Sequence, residues 1–144
     1  YNWSLSDELS NIIAKLMEYK ASEFYPYYQK WNVSKNPWER RLSMVGLLYY
    51  KQLRNKYLPY NKIIKMVKPH LQDPHYYVQK AVGWTLRECW NVYPNQTYEY
   101  LVQNAHLIPA GAWTAATEKL SKSDKERLKK LRKAYPSLGA TNSH

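Results

Sequence analysis

The sequence predicts an all-α fold, and three local features predict it. The chain has 4 glycines and no Asn-Gly or Asp-Gly pair, so it offers little material for hairpin turns. Prolines recur where helices should begin, because proline fits the first helical turn. Apolar residues between these starts keep helical spacing, as at Leu42, Val45, Leu48 and Leu53. We expect eight helices and no strand, with the helices at 6–19, 22–31, 37–55, 60–70, 74–92, 95–104, 109–120 and 123–134.

Capping signals mark the starts of three of these helices. Asn36-Pro37-Trp38-Glu39 reads as an N-cap, a proline at the first helical position and a capping acid in the first turn. Asp73-Pro74 repeats the arrangement of cap and proline. Ser123-Asp124-Lys125-Glu126 has the form of a capping box. The sequence therefore predicts that Asn36, Asp73 and Ser123 cap the third, fifth and eighth helices.

Two segments repeat at an offset of 39 residues. Trp38-Glu39-Arg40-Arg41-Leu42 aligns with Tyr77-Val78-Gln79-Lys80-Ala81, and both follow an aromatic-x-x-basic-apolar pattern. Helical pairs of the HEAT type repeat at about 40–47 residues. We therefore expect a right-handed α-solenoid of HEAT-like pairs whose second helices line a concave basic groove. The domain should cover 1–135, with 136–144 as a flexible C-terminal tail.

Composition limits the partners and cofactors. The formal charge of +11 favours a polyanion: nucleic acid first and anionic membrane second, while a merely soluble basic protein is the third reading. The single Cys89 allows no intrachain disulfide and is expected to be a packed core thiol. The four histidines, His70, His75, His106 and His144, lack the spacing of a zinc site. We expect no metal, no cofactor, no membrane span, and a soluble, cytoplasmic monomer.

One helix face combines an aromatic ring with cations. Lys80, Trp84 and Arg87 stand at i, i+4 and i+7, away from the apolar set Val78, Ala81, Val82 and Leu86. Such a face suits a phosphate backbone with a sugar or base, although a half-buried Trp with snorkelling cations gives the same pattern. Trp38 and Arg41 form a similar i, i+3 pair, so the sequence predicts that both repeats contribute to one DNA-binding groove.

Two further features each have a structural and a functional interpretation. Trp3 and Asp7 lie four residues apart, and an acid there is most simply a charge that favours the helix dipole. Between 119 and 133 the sequence has eight cations and two acidic residues, Asp124 and Glu126. This composition fits either a solvated terminal helix or non-specific phosphate contacts. There is no phosphate-binding glycine loop and no G-x-S-x-G motif.

A family resemblance adds to this reading. The stretch Tyr77-Val78-Gln79-Lys80-Ala81-Val82-Gly83-Trp84-Thr85-Leu86-Arg87-Glu88 closely resembles the signature helix of the AlkD-type DNA alkylation repair family, which are HEAT-like-repeat glycosylases of alkylated purines. The segment from Trp31 to Arg41 resembles the preceding repeat of that family, and Tyr98 to Asn104 resembles its next helix. The similarity runs over about residues 1–120.

The resemblance implies roles for individual residues. Trp3-Ser4-Leu5-Ser6-Asp7 resembles the segment that holds the family's catalytic aspartate. The resemblance therefore favours a catalytic role for Asp7 over a charge that only favours the helix dipole. Trp84 matches a second cleft tryptophan, while Arg41 and Arg87 match backbone-contacting arginines. The implied partner is double-stranded DNA with alkylated purines, bound without a metal. A non-catalytic DNA-binding module and a protein-binding solenoid are the alternatives.

Two departures from the family pattern accompany the resemblance. Trp113 stands where the family usually has a basic residue. The family's usual N-terminal helices are also missing, so we expect the chain to be the C-terminal portion of a longer protein.

Overall fold

The computed structural model describes residues 3–47 and 58–134, and for residues 3–7, 10, 11 and 18 it describes the backbone alone. Within these residues the chain forms eight α-helices and no strand, which confirms the all-α prediction. The helices are α1 (Trp3–Tyr19), α2 (Ala21–Asn32), α3 (Pro37–Val45), α4 (Tyr60–Val67), α5 (Tyr76–Val92), α6 (Pro94–Asn104), α7 (Ala110–Thr117) and α8 (Lys122–Ala134). None of the described helices is both long enough and apolar enough to cross a membrane.

The helices pack against one another in a regular order around a shared hydrophobic core. Helix α3 contacts α1 and α5, and α5 contacts α7, so the odd-numbered helices lie side by side. The even-numbered helices α2, α4 and α6 pack against their neighbours in this row, and α8 packs on α6. The apolar face predicted for α5 is confirmed, since its members are fully buried: Val78, Ala81, Val82 and Leu86. Burial of such side chains contributes roughly 1.5–3 kcal/mol each.

The predicted cap of α3 is confirmed. The Asn36 side chain accepts a hydrogen bond from the Trp38 backbone N–H at 2.9 Å, and Pro37 occupies the first turn. Ser34 Oγ donates to the Glu39 carboxylate instead of leaving that acid to cap the backbone.

The predicted extent of the helix at 37–55 is wrong at its C-terminal end. Helix α3 ends at Val45, and residues 46 and 47 form a turn. Tyr28 Oη donates to the Gly46 carbonyl at 2.8 Å, directly after the end of the helix. A Cβ at Gly46 would stand 2.5 Å from the same hydroxyl oxygen, so only glycine fits this approach. Leu48 and Leu53, with the rest of 48–57, lie outside the described residues.

The other two predicted caps are wrong. Helix α5 begins at Tyr76 and not at Pro74, and His75 holds the cap position without a side-chain capping bond. The Asp73 carboxylate accepts the His75 N–H in the turn before the helix and is also bound by Arg40. Helix α8 begins at Lys122, and it is Ser121 whose Oγ accepts the Asp124 N–H at 3.2 Å. The predicted helix at 60–70 is α-helical to Val67 and continues as one 3₁₀ turn over Lys68–His70.

A buried polar network joins α2, α3 and the turn before α5. Arg40 donates to both carboxylate oxygens of Asp73, at 2.9 and 3.3 Å, and His70 Nδ1 lies 3.1 Å from the same carboxylate. Burial by itself raises the pKa of the Asp73 carboxyl. The hydrogen bonds from Arg40, the His75 N–H and His70 outweigh burial and hold this pKa below its ordinary value of 3.8. The network thus keeps a buried carboxylate ionised between two repeats.

Helices α5 and α7 approach each other closely at one point. A Cβ on Gly83 would stand 2.6 Å from the Ala112 carbonyl oxygen and 2.8 Å from the Ala112 Cα. Both atoms belong to the α7 backbone, so the glycine is required by space and not by its backbone angles. Cys89, one helix turn and a half further along α5, is fully buried, as expected, and burial raises the pKa of its thiol to about 11.

Candidate nucleic-acid interface

One stripe of α5 carries aromatic rings and cations in alternation. Tyr76, Lys80, Trp84 and Arg87 follow one another at spacings of four, four and three residues, which places them on the same side of the helix. Tyr76 is 55% exposed, and Lys80 Nζ lies 5.7 Å from the centroid of its ring. Trp84 is half-buried and packs against the core. We call these four residues the α5 stripe.

An aromatic cluster joins the start of α5 to the start of α3. The rings of Trp38 and Tyr77 are stacked, with centroids 5.3 Å apart and planes 24° apart. The His75 ring meets Trp38 edge-on at 6.2 Å, and Tyr76 meets Tyr77 at 5.4 Å. Trp38 and Tyr77 are the residues that the 39-residue offset aligns, so aligned positions of the two repeats stack directly on each other.

Arg41 is buried next to this cluster and contacts the backbone of Tyr77. Its side chain is only 5% exposed, and its Nη1 donates to the Tyr77 carbonyl at 3.0 Å. The guanidinium therefore holds α3 against the first turn of α5. This placement favours a role in positioning Tyr77 over the direct backbone contact that the family resemblance implies.

Arg87, at the other end of the α5 stripe, has acidic neighbours. Its Nη1 lies 3.2 Å from the carboxylate of Glu118, which follows α7, and its Nη2 lies 3.5 Å from that of Glu88. The side chain is 30% exposed, and its Nε is buried with no acceptor among the described residues. A phosphate that binds Arg87 must therefore compete with Glu118.

Trp3 and Asp7 both fall within α1, since that helix begins at Trp3, three residues before the predicted start. The backbone places them one helical turn apart, and their side chains lie outside what the structure describes. Helix α1 contacts α3, the helix that carries Trp38 and Arg41. The predicted site residues therefore lie on three helices that pack in a row, α1 against α3 and α3 against α5.

The structure adds residues that sequence reasoning missed. Tyr76 and Tyr77 bring exposed rings to the cationic face, and Glu118 brings a competing charge. Spacing could have found Tyr76, because it stands one further turn back from Lys80 on the same stripe. No local signal could have found Glu118, which is 31 residues from Arg87 in the chain.

Trp113, the departure from the family pattern, lies under a cation from another helix. The guanidinium carbon of Arg132 on α8 stands 4.5 Å from the centroid of the Trp113 ring. Over residues 3–47 and 58–134, no group of three or more His, Cys, Asp or Glu side chains is arranged to hold a metal ion.

These features define an all-helical protein whose packed helices present aromatic rings and cations together, a combination typical of surfaces that bind nucleic acid. The sequence profile of the DNA alkylation repair enzyme family matches residues 1–120, and the chain belongs to that family. No curated protein and no solved structure gave a match. Family membership indicates an enzyme of alkylation repair, and hence a DNA-binding protein.

Proposed function

We propose that the protein is a DNA glycosylase that hydrolyses the N-glycosidic bond of purines alkylated at N3 or N7 in duplex DNA. In this proposal Asp7 is the catalytic carboxylate, Trp3 and Trp84 flank the deoxyribose, and Lys80 and Arg87 contact the phosphates. The observation that carries it is the family match, which spans both α1 with its Trp-x-x-x-Asp segment and α5 with Trp84.

The chemistry suits these residue types. Alkylation at N3 or N7 makes the base a cation, so it leaves without a strong general acid. As the bond from C1′ to the base nitrogen breaks, its electron pair neutralises the base and positive charge develops on the sugar. A carboxylate at Asp7 would stabilise this oxocarbenium character and orient the water whose oxygen attacks C1′. The water proton is released to solvent, and the product is the free base and an abasic sugar.

The tryptophans would act on the same charge. The negative face of an indole ring attracts a nearby cation, by about 0.5–2 kcal/mol depending on how dry the contact is. Trp84 is half-buried, so the core fixes the orientation of its ring. A rigid ring loses little conformational freedom when a sugar packs on it.

The packing order supports a solenoid as the scaffold. Helix α1 contacts α3, α3 contacts α5 and α5 contacts α7, while α2, α4 and α6 each contact at least one helix of this row. This is the order expected when HEAT-like pairs stack. In that arrangement the second helix of each pair would line a basic groove, and α3, α5 and α7 would be these second helices. Trp38 would then stand in the groove wall, stacked on Tyr77.

Release of 7-methylguanine from an alkylated duplex tests the proposal. The variant Asp7→Asn should release the base at least about 10²-fold more slowly, because it removes the charge that stabilises the transition state. The exposed neighbour Glu8 supplies the matched control, since Glu8→Gln removes one charge from the same helix and should leave the rate unchanged. If Asp7→Asn works as fast as the parent, or if the parent releases no base while it still binds DNA, the chain is a non-catalytic DNA-binding module.

A further inference from the structure

Helix α8 is the most basic part of the described chain and lies beyond the family match. Lys122–Ala134 contains seven Lys or Arg and two acidic residues, whereas the match ends at 120. Its cations therefore have no role in the proposed glycosylase chemistry. Six of the seven fall into two groups with different surroundings.

The two arginines of α8 both bond to the neighbouring helices, Arg132 from a half-buried position and Arg127 from an exposed one. Arg132 Nη1 donates to the carbonyls of Ala105 and Ile108, in the turn between α6 and α7, and burial lowers the pKa of this guanidinium. Arg127 Nη1 donates to Tyr98 Oη at 3.0 Å. Leu128, fully buried, lies between them. Helix α8 is thus anchored on α6 and α7 by one apolar and two guanidinium contacts.

The lysines of the outer side remain in solvent. Lys122, Lys129 and Lys133 stand at i, i+7 and i+11, with Lys130 beside them, and all four are exposed. Within the described residues, Lys129 alone among them forms an ion pair, 3.6 Å from the exposed Glu126. We call these four residues the lysine stripe. It extends about 16 Å along the helix axis, at 1.5 Å per residue.

We propose that the lysine stripe is a second DNA-binding surface, which contacts the phosphate backbone without reading bases. The stripe is as long as about five successive phosphates of one strand, spaced 3.4 Å along the duplex axis. Lysine ammonium groups on flexible stems are point charges that suit such a repeating anion, whereas the arginines are already engaged. The inference rests on the proposed function only in taking duplex DNA as the ligand.

The test replaces the whole stripe: Lys122→Gln, Lys129→Gln, Lys130→Gln and Lys133→Gln in one chain. Binding to a fluorescent, undamaged duplex is measured over a range of salt concentrations. Each lost phosphate contact lowers the slope of log K against log salt by about 0.9, so we expect the slope to fall by roughly 2–4. All four side chains are exposed, and an unchanged melting temperature verifies that the variant is folded.

The matched control removes four exposed lysines from α2, α4 and the turn that follows: Lys30, Lys62, Lys65 and Lys68. It lowers the net charge equally and should change the slope by less than about 1 if position and not total charge matters. Equal slopes for the parent and the stripe variant overturn the proposal, as does an equal fall in both variants. Loss of binding to phosphatidylserine vesicles with an unchanged DNA slope also overturns it, in favour of a membrane surface.

Base release separates this proposal from the proposed function. The stripe variant should release 7-methylguanine at the parent's rate once DNA is saturated with protein, because no stripe residue belongs to the catalytic machinery. A parent that releases no base, combined with the expected fall in slope, would refute the glycosylase and leave the lysine stripe standing.

Discussion

Gly83 provides the sharpest test of how α5 and α7 pack. In Gly83→Ala the new methyl carbon would stand 2.6, 2.8 and 3.1 Å from three backbone atoms of Ala112, against an ordinary contact of 3.4–4 Å. Backbone atoms in a helix cannot rotate aside as a side chain does. The two helices must therefore separate by about 0.5–1 Å, which loses dispersion contacts along their whole interface.

Two effects of opposite sign set the change in the free energy of unfolding. Overpacking of a core contact costs about 1–3 kcal/mol. Replacing glycine by alanine inside a helix returns about 0.8–1 kcal/mol, because alanine loses less backbone freedom on folding. We expect Gly83→Ala to lower the free energy of unfolding by about 0.5–2 kcal/mol. The melting temperature should fall by roughly 2–8 °C.

Urea denaturation followed by circular dichroism measures this change, and Gly111→Ala is the control. A Cβ on Gly111 would stand 2.8 Å from the Gln79 side-chain oxygen, which ends a flexible side chain and can move away. The same Cβ would also stand 3.1 Å from the Gln79 Cβ, which needs a shift of only a few tenths of an ångström. The control should stay within about 0.5 kcal/mol of the parent. A Gly83→Ala protein as stable as the parent, or more stable, would refute the reasoning, because helix propensity would then outweigh the contact.

Two further predictions concern charged groups. Glu118→Gln should strengthen DNA binding by about 1.5–5-fold, since an exposed ion pair that competes with phosphate for Arg87 is worth about 0.2–1 kcal/mol. Glu99→Gln removes the same charge elsewhere on the surface, and an equal gain there would contradict the competition. Asp73→Asn should cost about 2–4 kcal/mol at pH 7, because it removes the buried carboxylate charge that pairs with the half-buried guanidinium of Arg40. The folded-state pKa of Asp73 is lowered, so its ionised form contributes stability above pH 3.8 and loses it as the pH falls through that lower pKa. The gap between parent and variant in urea titrations should therefore narrow in acid, and a gap that is constant with pH would contradict this assignment.

Local chemistry determined most of the helical layout. The Asn36-Pro37 start, the apolar face of α5 and the absence of strands from the described residues all follow from contacts within a few positions of the chain. Two predicted helix boundaries lie at long-range contacts that the local sequence does not show. The Asp73 carboxylate is bound by Arg40, 33 residues away, and directly after the end of α3 the Gly46 carbonyl accepts from Tyr28, 18 residues away.

The candidate site divides in the same way. The repeat at an offset of 39 and the spacing of Lys80, Trp84 and Arg87 are visible in the sequence, and so is the resemblance that the family match confirms. The sequence does not show whether a given cation is exposed to a ligand or buried in the fold. Spacing treats Arg41 and Lys80 as equivalent, yet Arg41 is buried against the Tyr77 carbonyl while Lys80 is exposed.

The sequence by itself determined that this is a basic, all-helical chain of the DNA alkylation repair family, because composition, caps and motif residues are local properties. Only the tertiary structure decided which charges face outward. Arg132 lies over Trp113 and Arg87 lies beside Glu118, while the lysine stripe of α8 stays in solvent. The physical reason is that the partners of these two arginines lie 19 and 31 positions away in the chain and meet them only when the helices pack.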